Sequence, residues 1–264
     1  MPLPKAPEKN QSAKVQGEPG DRVLERLHKF LARAGICSRR QAEKLIEAGR
    51  VRVDGQAVAT PGALIDPEKA EITVDGKKVA RPGRRRTLML HKPAGYVTTM
   101  ADPQGRRTIT ELVSSQAERL FPIGRLDYDA TGLLLLTNDG ELAQGLMHPR
   151  FKVPKTYRVT VVGQFSPEAR QRLQAGIDLD GRPAVAEKVR VLKTTPDRSV
   201  LELTIREGRY HQVKRMCAQV GHPVLKLKRL AYGPLHLGHL PSGAWRELDP
   251  AEVQLLKQAA GLSR

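Results

Sequence analysis

GRLDYDATGLLLLTNDG, residues 124–140, decides how this chain is read. Two carboxylates, Asp127 and Asp129, stand in a loop-like run directly ahead of four consecutive leucines at 133–136. Four leucines in a row lack the apolar/polar alternation of a half-solvated strand. The run is therefore expected to be a strand buried on both faces, or a strand edge under a helix. Asp127 would then sit at the mouth of the core, where short loops on rigid elements hold reactive groups. Purely local roles for the same acid are a turn cap or an ion pair with Arg125. An acid here also runs against the rest of the sequence, in which 45 Lys+Arg face 28 Asp+Glu for a net charge of +17. Such a field draws in polyanions, nucleic acid ahead of acidic membrane surfaces.

At 264 residues the chain is long enough for one large and one small domain. No stretch approaches the ~18 consecutive apolar residues of a membrane span. Residues 1–20 contain no hydrophobic signal core and read as a disordered tail, so a cytoplasmic protein is expected. Cys37 and Cys217 lie far apart with no CxxC partner, which indicates neither a disulfide framework nor a zinc knuckle. His236 and His239 have HxxH spacing but no Cys or carboxylate companion, and are read as surface residues; no metal is expected.

Working outward toward the N-terminus, Val23, Leu27, Phe30, Leu31 and Ala34 recur at helical spacing, predicting a helix from Arg22 to Gly35. Ser38 is the natural N-cap of a second helix ending near Gly49. Alternating valines around Asp54-Gly55 and Asp75-Gly76 then predict hairpins. Nine Lys/Arg against four acids occupy residues 22–55, several of them around the turn between the helices. This segment, roughly 22–80, resembles the RNA-binding domain shared by a small-subunit ribosomal protein, tyrosyl-tRNA synthetases and several RNA-modifying enzymes. The resemblance implies RNA binding through the Ser38-Arg39-Arg40 corner, and the basic residues Arg26, Lys29, Arg33 and Lys44 are further candidate RNA contacts. RPGRRR, residues 81–86, reads as a basic linker able to touch phosphate.

Beyond it, strand-like pieces at 88–90, 132–137, 157–162, 189–192, 201–205 and 225–230 alternate with helices near 140–147, 167–175 and 209–220. Hairpin signals outnumber regular strand-helix-strand units. The fold class is therefore α+β: a small N-terminal helix-helix-sheet domain plus a larger domain, 87–250, with a mixed or mainly antiparallel sheet, and a C-terminal helix or tail at 251–264. Within 206–229 stand seven Lys/Arg and one acid. That imbalance supplies phosphate contacts, Arg209 and Arg215 among them, and a cation for a sheltered carboxylate.

Three stretches, LHKPAGYVTTMADPQGRRTI at 90–109, GRLDYDATGLLLLTNDG, and LTIREGRYHQVKRMCAQVGHPVLKLKRL at 203–230, closely resemble the pseudouridine synthases of the RsuA/RluB/RluF family. The similarity extends over about residues 22–248. It implies isomerisation of a uridine in folded RNA without cofactor or metal. By position in the motifs it implies Asp127 as nucleophile or base at the sugar, Lys214 as its cationic partner, Tyr157 as the ring stacked on the target base, and Arg125 as the residue that enters the vacated stack. Asp129 falls outside the motif position and is read as structural. The resemblance further implies ribosomal RNA as partner, 23S ahead of 16S, alone or in a pre-ribosomal particle, and a monomer is expected. Alternatives open at this level are a non-catalytic RNA-binding ribosome-assembly factor and a carboxylate-dependent nuclease.

Overall fold

The computed structural model describes residues 24–116 and 118–262. The expected tail at 1–20 and the first two positions of the expected first helix, Arg22 and Val23, lie outside them. The chain divides between Pro82 and Gly83 into two compact units.

In the first unit, β1 (Glu25–Arg26) leads into α1 (Leu27–Arg33), followed by α2 (Arg39–Glu47), β2 (Val51–Val53), β3 (Gln56–Ala57), β4 (Leu64–Ile65), β5 (Ile72–Val74) and β6 (Lys77–Lys78). The first helix begins later than its apolar spacing suggests, because Glu25 and Arg26 pair antiparallel with Ile65 and Leu64. Local periodicity cannot show that tertiary competitor. Ser38 caps α2 through a capping box, its hydroxyl accepting from the Gln41 N–H while the Gln41 side chain accepts from the Ser38 N–H. The two Asp-Gly pairs turn the β2–β3 and β5–β6 hairpins, with positive φ at all four residues, as type I′ geometry demands. Leu27, Phe30, Leu31, Ile46, Val51 and Ile72 form the core.

The second unit holds β7 (Thr87–Lys92), α3 (Ile109–Leu112), β8 (Phe121–Ile123), β9 (Thr131–Thr137), α4 (Gly140–Met147), β10 (Lys155–Val162), α5 (Pro167–Ala175), β11 (Ile177–Leu179), β12 (Arg182–Ala184), β13 (Lys188–Thr194), β14 (Arg198–Ile205), α6 (Gln212–Gln219), β15 (Val224–Tyr232), β16 (Leu235–His236), β17 (Trp245–Glu247) and α7 (Pro250–Ala259). Nine strands form one sheet in the order β13-β14-β10-β15-β9-β7-β17, with β16 on β15 and β8 on β9. Every pairing in it is antiparallel except β15 with β9.

The leucines at 133–136 form the middle of β9 and are fully buried. Leu134 and Leu136 enter the core that includes Val213 and Met216 of α6, whereas Leu133 and Leu135 enter the core that includes Leu142 of α4 and Leu256 of α7. The strand is covered on both faces, each leucine contributing about 1.5–3 kcal/mol through burial. The unit boundary falls inside RPGRRR, and its arginines from 84 onward are tied to the second unit. Arg86 pairs with Glu118 and Glu247 at 2.6 Å each, Arg85 with Asp139 at 2.9 Å, and Arg84 with Glu247 at 3.0 Å. These contacts fasten residues 84–86 to the second unit, while Arg84 and Arg85 remain more than half exposed.

Gly132, at the start of β9, has φ of +110° and lies against the β15 backbone, where an added Cβ would overlap the Arg229 carbonyl oxygen and come within 2.6 Å of its N. Gly132→Ala should therefore lower unfolding stability by about 1–3 kcal/mol from backbone strain alone, measured by denaturant titration. An unchanged midpoint would contradict the close approach.

Candidate active site

The 124–130 loop enters β9 at the parallel junction with β15, where Arg229 pairs with Gly132. Across the sheet one register row runs Leu203, Tyr157, Arg229, Gly132, Lys92, drawing one residue from each of five adjacent strands. The sequence motifs, distant along the chain, thus converge because the sheet aligns them. Tyr157 and Gly132 are two strand spacings apart, about 10 Å.

Lys92 organises the loop. Its side chain is fully buried, and its Nζ donates to the carbonyl oxygens of Pro93 (3.0 Å), Asp127 (3.0 Å), Tyr128 (3.3 Å) and Ala130 (2.9 Å). An ammonium stripped of water needs such acceptors. Burial pulls its pKa down to about 8, opposed by the charges of Asp129 and Asp127. The segment after Lys92 grips the same loop: the Gly95 N–H donates to the Tyr128 carbonyl at 2.9 Å, and the buried Thr98 hydroxyl to the Leu126 carbonyl at 2.7 Å. HKPAGYVTT is therefore a clasp around GRLDYDA.

With its backbone held this way, Asp127 turns its carboxylate toward α6. Lys214 Nζ lies 3.4 Å from Oδ2 and His211 Nε2 lies 3.6 Å from Oδ1. Lys214 makes its short contact elsewhere, donating to Asp129 Oδ1 at 2.6 Å. That hydrogen bond holds the Asp129 carboxyl below the usual carboxylate range. Partial burial of Lys214 works against its charge, but the Asp129 hydrogen bond and the two carboxylates keep its pKa above the ordinary lysine value. The two acids differ in shelter: the Asp127 side chain is 27% exposed, that of Asp129 68%. Lys214 thus bridges both, with Asp129 the outer, solvated partner and Asp127 the recessed one. The Lys214 ammonium stands 3.4 Å from the Asp127 carboxylate, which makes no shorter contact with it.

Tyr157, a member of the row just described, is buried in the core. Arg125 is exposed and has no ion pair among the described residues. Of the expected RNA contacts, Arg26, Lys29, Arg39, Arg40 and Lys44 are exposed on the first unit, while Ser38 serves as the α2 cap and Arg33 is held by Glu25 at 2.7 Å. On the second unit Arg209 has a structural task. Its guanidinium donates to the carbonyls of Leu179, Arg182 and Pro183 and pairs with Glu207, binding the β11–β12 hairpin to the start of α6, so its donors are already occupied. Arg215 pairs with Asp180 on that hairpin at 2.6 Å.

Three residues at the site were not singled out from sequence: Lys92, His211 and Arg229. His211 occupies a left-handed conformation, φ 47°, immediately before α6. Arg229 is buried, donates from Nε to the Leu133 carbonyl at 2.7 Å, lies 5.2 Å from the Tyr232 ring centroid, and its Nη2 has no hydrogen-bond partner among the described residues. Lys155 stands over the same ring, its pKa brought to about 8 by burial and then by the Arg229 charge. A signal for Arg229 existed in KLKRL, where strand alternation puts residue 229 on the inward phase with Leu227. Among the described residues no group of three His, Cys, Asp or Glu gathers as a metal site, and no helix is long and apolar enough to cross a membrane.

Comparison with known proteins matches residues 86–219 to the RNA pseudouridylate synthase family and residues 25–70 to the S4 domain. An RNA pseudouridine synthase of Aquifex aeolicus is 46% identical over 238 residues, 90% of this chain and 95% of that protein. The ribosomal large subunit pseudouridine synthase B of Bacillus subtilis is 44% identical over 240 residues, 90% of this chain and 97% of that protein. A solved pseudouridylate synthase superposes with a TM-score of 0.61 at 32% identity, covering 88% of this chain and 99% of the other.

The depressed pKa of Lys92 has a consequence for stability. Because the group titrates near 8 in the folded protein against 10.5 as an ordinary lysine, the unfolded chain binds more protons between those values, and stability from this group rises with pH across that window. Unfolding free energies of the wild type and Lys92→Met, measured from pH 7 to 11, should diverge in favour of the wild type above pH 8. Parallel curves would contradict the buried ammonium.

Proposed function

The chain belongs to the RNA pseudouridylate synthase family, and on that premise we propose that it isomerises a specific uridine of ribosomal RNA, in the large subunit, with Asp127 acting at the ribose. The observation that carries this reading is the placement of Asp127: recessed, beside a cation, and at the junction where Tyr157, Arg229 and Gly132 share a row. In the reaction the uracil N1–C1′ bond breaks, the base turns, and a C5–C1′ bond forms. The C5 hydrogen is released and N1 ends protonated, so the step needs no redox partner and consumes no water. The Asp127 carboxylate serves as nucleophile or base at the sugar, with Lys214 3.4 Å from it. Tyr157 offers a face to the extruded base and a hydroxyl for proton relay. Arg125, exposed two residues ahead of Asp127, fills the vacated stack.

The large-subunit assignment is supported by the length and level of similarity to the Bacillus subtilis protein. The S4 domain supplies the RNA grip through Arg26, Lys29, Arg39, Arg40 and Lys44, and affinity is accordingly salt-dependent.

Purified protein should form pseudouridine in large-subunit ribosomal RNA with EDTA present. Cells lacking the protein should lose one or more pseudouridines from that RNA, mapped by chemical modification and primer extension. A change confined to small-subunit RNA would move the target to the runner-up. Unchanged maps of both RNAs would overturn the proposal.

A further inference from the structure

The chain has five Tyr, four Phe and one Trp, all within the described residues, and only Tyr128 (54%) and Tyr210 (71%) are exposed. Both border Asp127. Tyr128 follows it in the loop, with its hydroxyl over Gly95. Tyr210 lies on the His211 ring, 4.0 Å between centroids at 16° between planes, and His211 Nε2 is the atom 3.6 Å from Asp127 Oδ1. A tyrosine left 71% exposed forgoes most of the burial that would stabilise it, and its hydroxyl makes no hydrogen bond among the described residues. The His211 ring covers one face of the Tyr210 ring, and the other face is open.

An open aromatic face among cations, beside a recessed carboxylate, has the chemistry of a stacking platform for a nucleobase. Extruding a uridine disrupts the stacking of its neighbours as well as its own, and a ring at the rim restores a contact to one of them. We infer that Tyr210, already stacked on His211, is the platform for an unpaired nucleobase adjacent to the target uridine, with Tyr128 as a second platform on the other segment bordering Asp127. Every base has a π-face, so the platform selects unpaired over duplex RNA and tolerates base identity. The inference rests on the uridine-isomerase reading and adds a binding subsite to it.

The test uses a stem-loop on which the wild-type protein forms pseudouridine; absence of any product would count against the isomerase reading, not the platform. Base–aromatic stacking of about 1–3 kcal/mol corresponds to roughly 5- to 150-fold in affinity. Tyr210→Ala should raise KM within that range and leave kcat within about twofold, since the loss is of binding. Tyr210→Phe should retain wild-type KM, because the ring and not the hydroxyl makes the contact. Replacing the flanking nucleotides one at a time by an abasic unit should, at one position, raise the wild-type KM by a similar factor and add nothing to Tyr210→Ala. Three results would overturn the inference: unchanged KM in Tyr210→Ala, Tyr210→Phe as defective as Tyr210→Ala, or losses that add at every abasic position. A ring that merely props His211 would lower kcat and give additive losses.

Discussion

Lys92 is the constraint from which the site follows. An ammonium fully removed from water at the end of β7 has carbonyl oxygens of the 127–130 segment as its acceptors, and taking them fixes the path of that loop. The loop cannot drift without leaving a buried charge unsolvated, a cost of several kcal/mol. Asp127 therefore stands on backbone that is held from below by a cation, from one side by Gly95 and Thr98, and downstream by a strand buried on both faces. Its carboxylate needs no strong bond of its own to be positioned.

This explains why the closest charged contact at the site is not made by Asp127. Lys214 donates its 2.6 Å bond to Asp129 and stands 3.4 Å from Asp127. Asp129 thus fixes the cation that stands beside Asp127, and remains the more solvated of the pair. An acid in a very basic chain is no contradiction under this arrangement: the net positive field attracts polyanions, and a local cation, Lys214, stands beside one recessed acid.

Much of the fold was legible because the strongest local signals agree with the tertiary outcome. The leucines at 133–136 are buried on both faces, Ser38 caps its helix, and the Asp-Gly pairs turn their hairpins. Where reading and structure part, a distant partner decides. Glu25 and Arg26 pair with residues 64–65 instead of extending α1. Arg209, part of a basic run, spends its donors on the β11–β12 hairpin. Nothing in HKPAGY reveals that the Lys92 amine turns inward to four carbonyls. The motifs identified which residue types do chemistry; register and burial determined which of them meet.

The most direct measurement is single-turnover pseudouridine formation, with RNA affinity measured in parallel, for Asp127→Asn and Asp129→Asn. The account predicts that Asp127→Asn abolishes product while RNA affinity stays within about threefold, because the proposed phosphate contacts are basic side chains elsewhere. Asp129→Asn should form product at a reduced rate, its loss being that of a bond to Lys214. Product from Asp127→Asn at the wild-type rate, or a dead Asp129→Asn beside an active Asp127→Asn, would contradict the assignment.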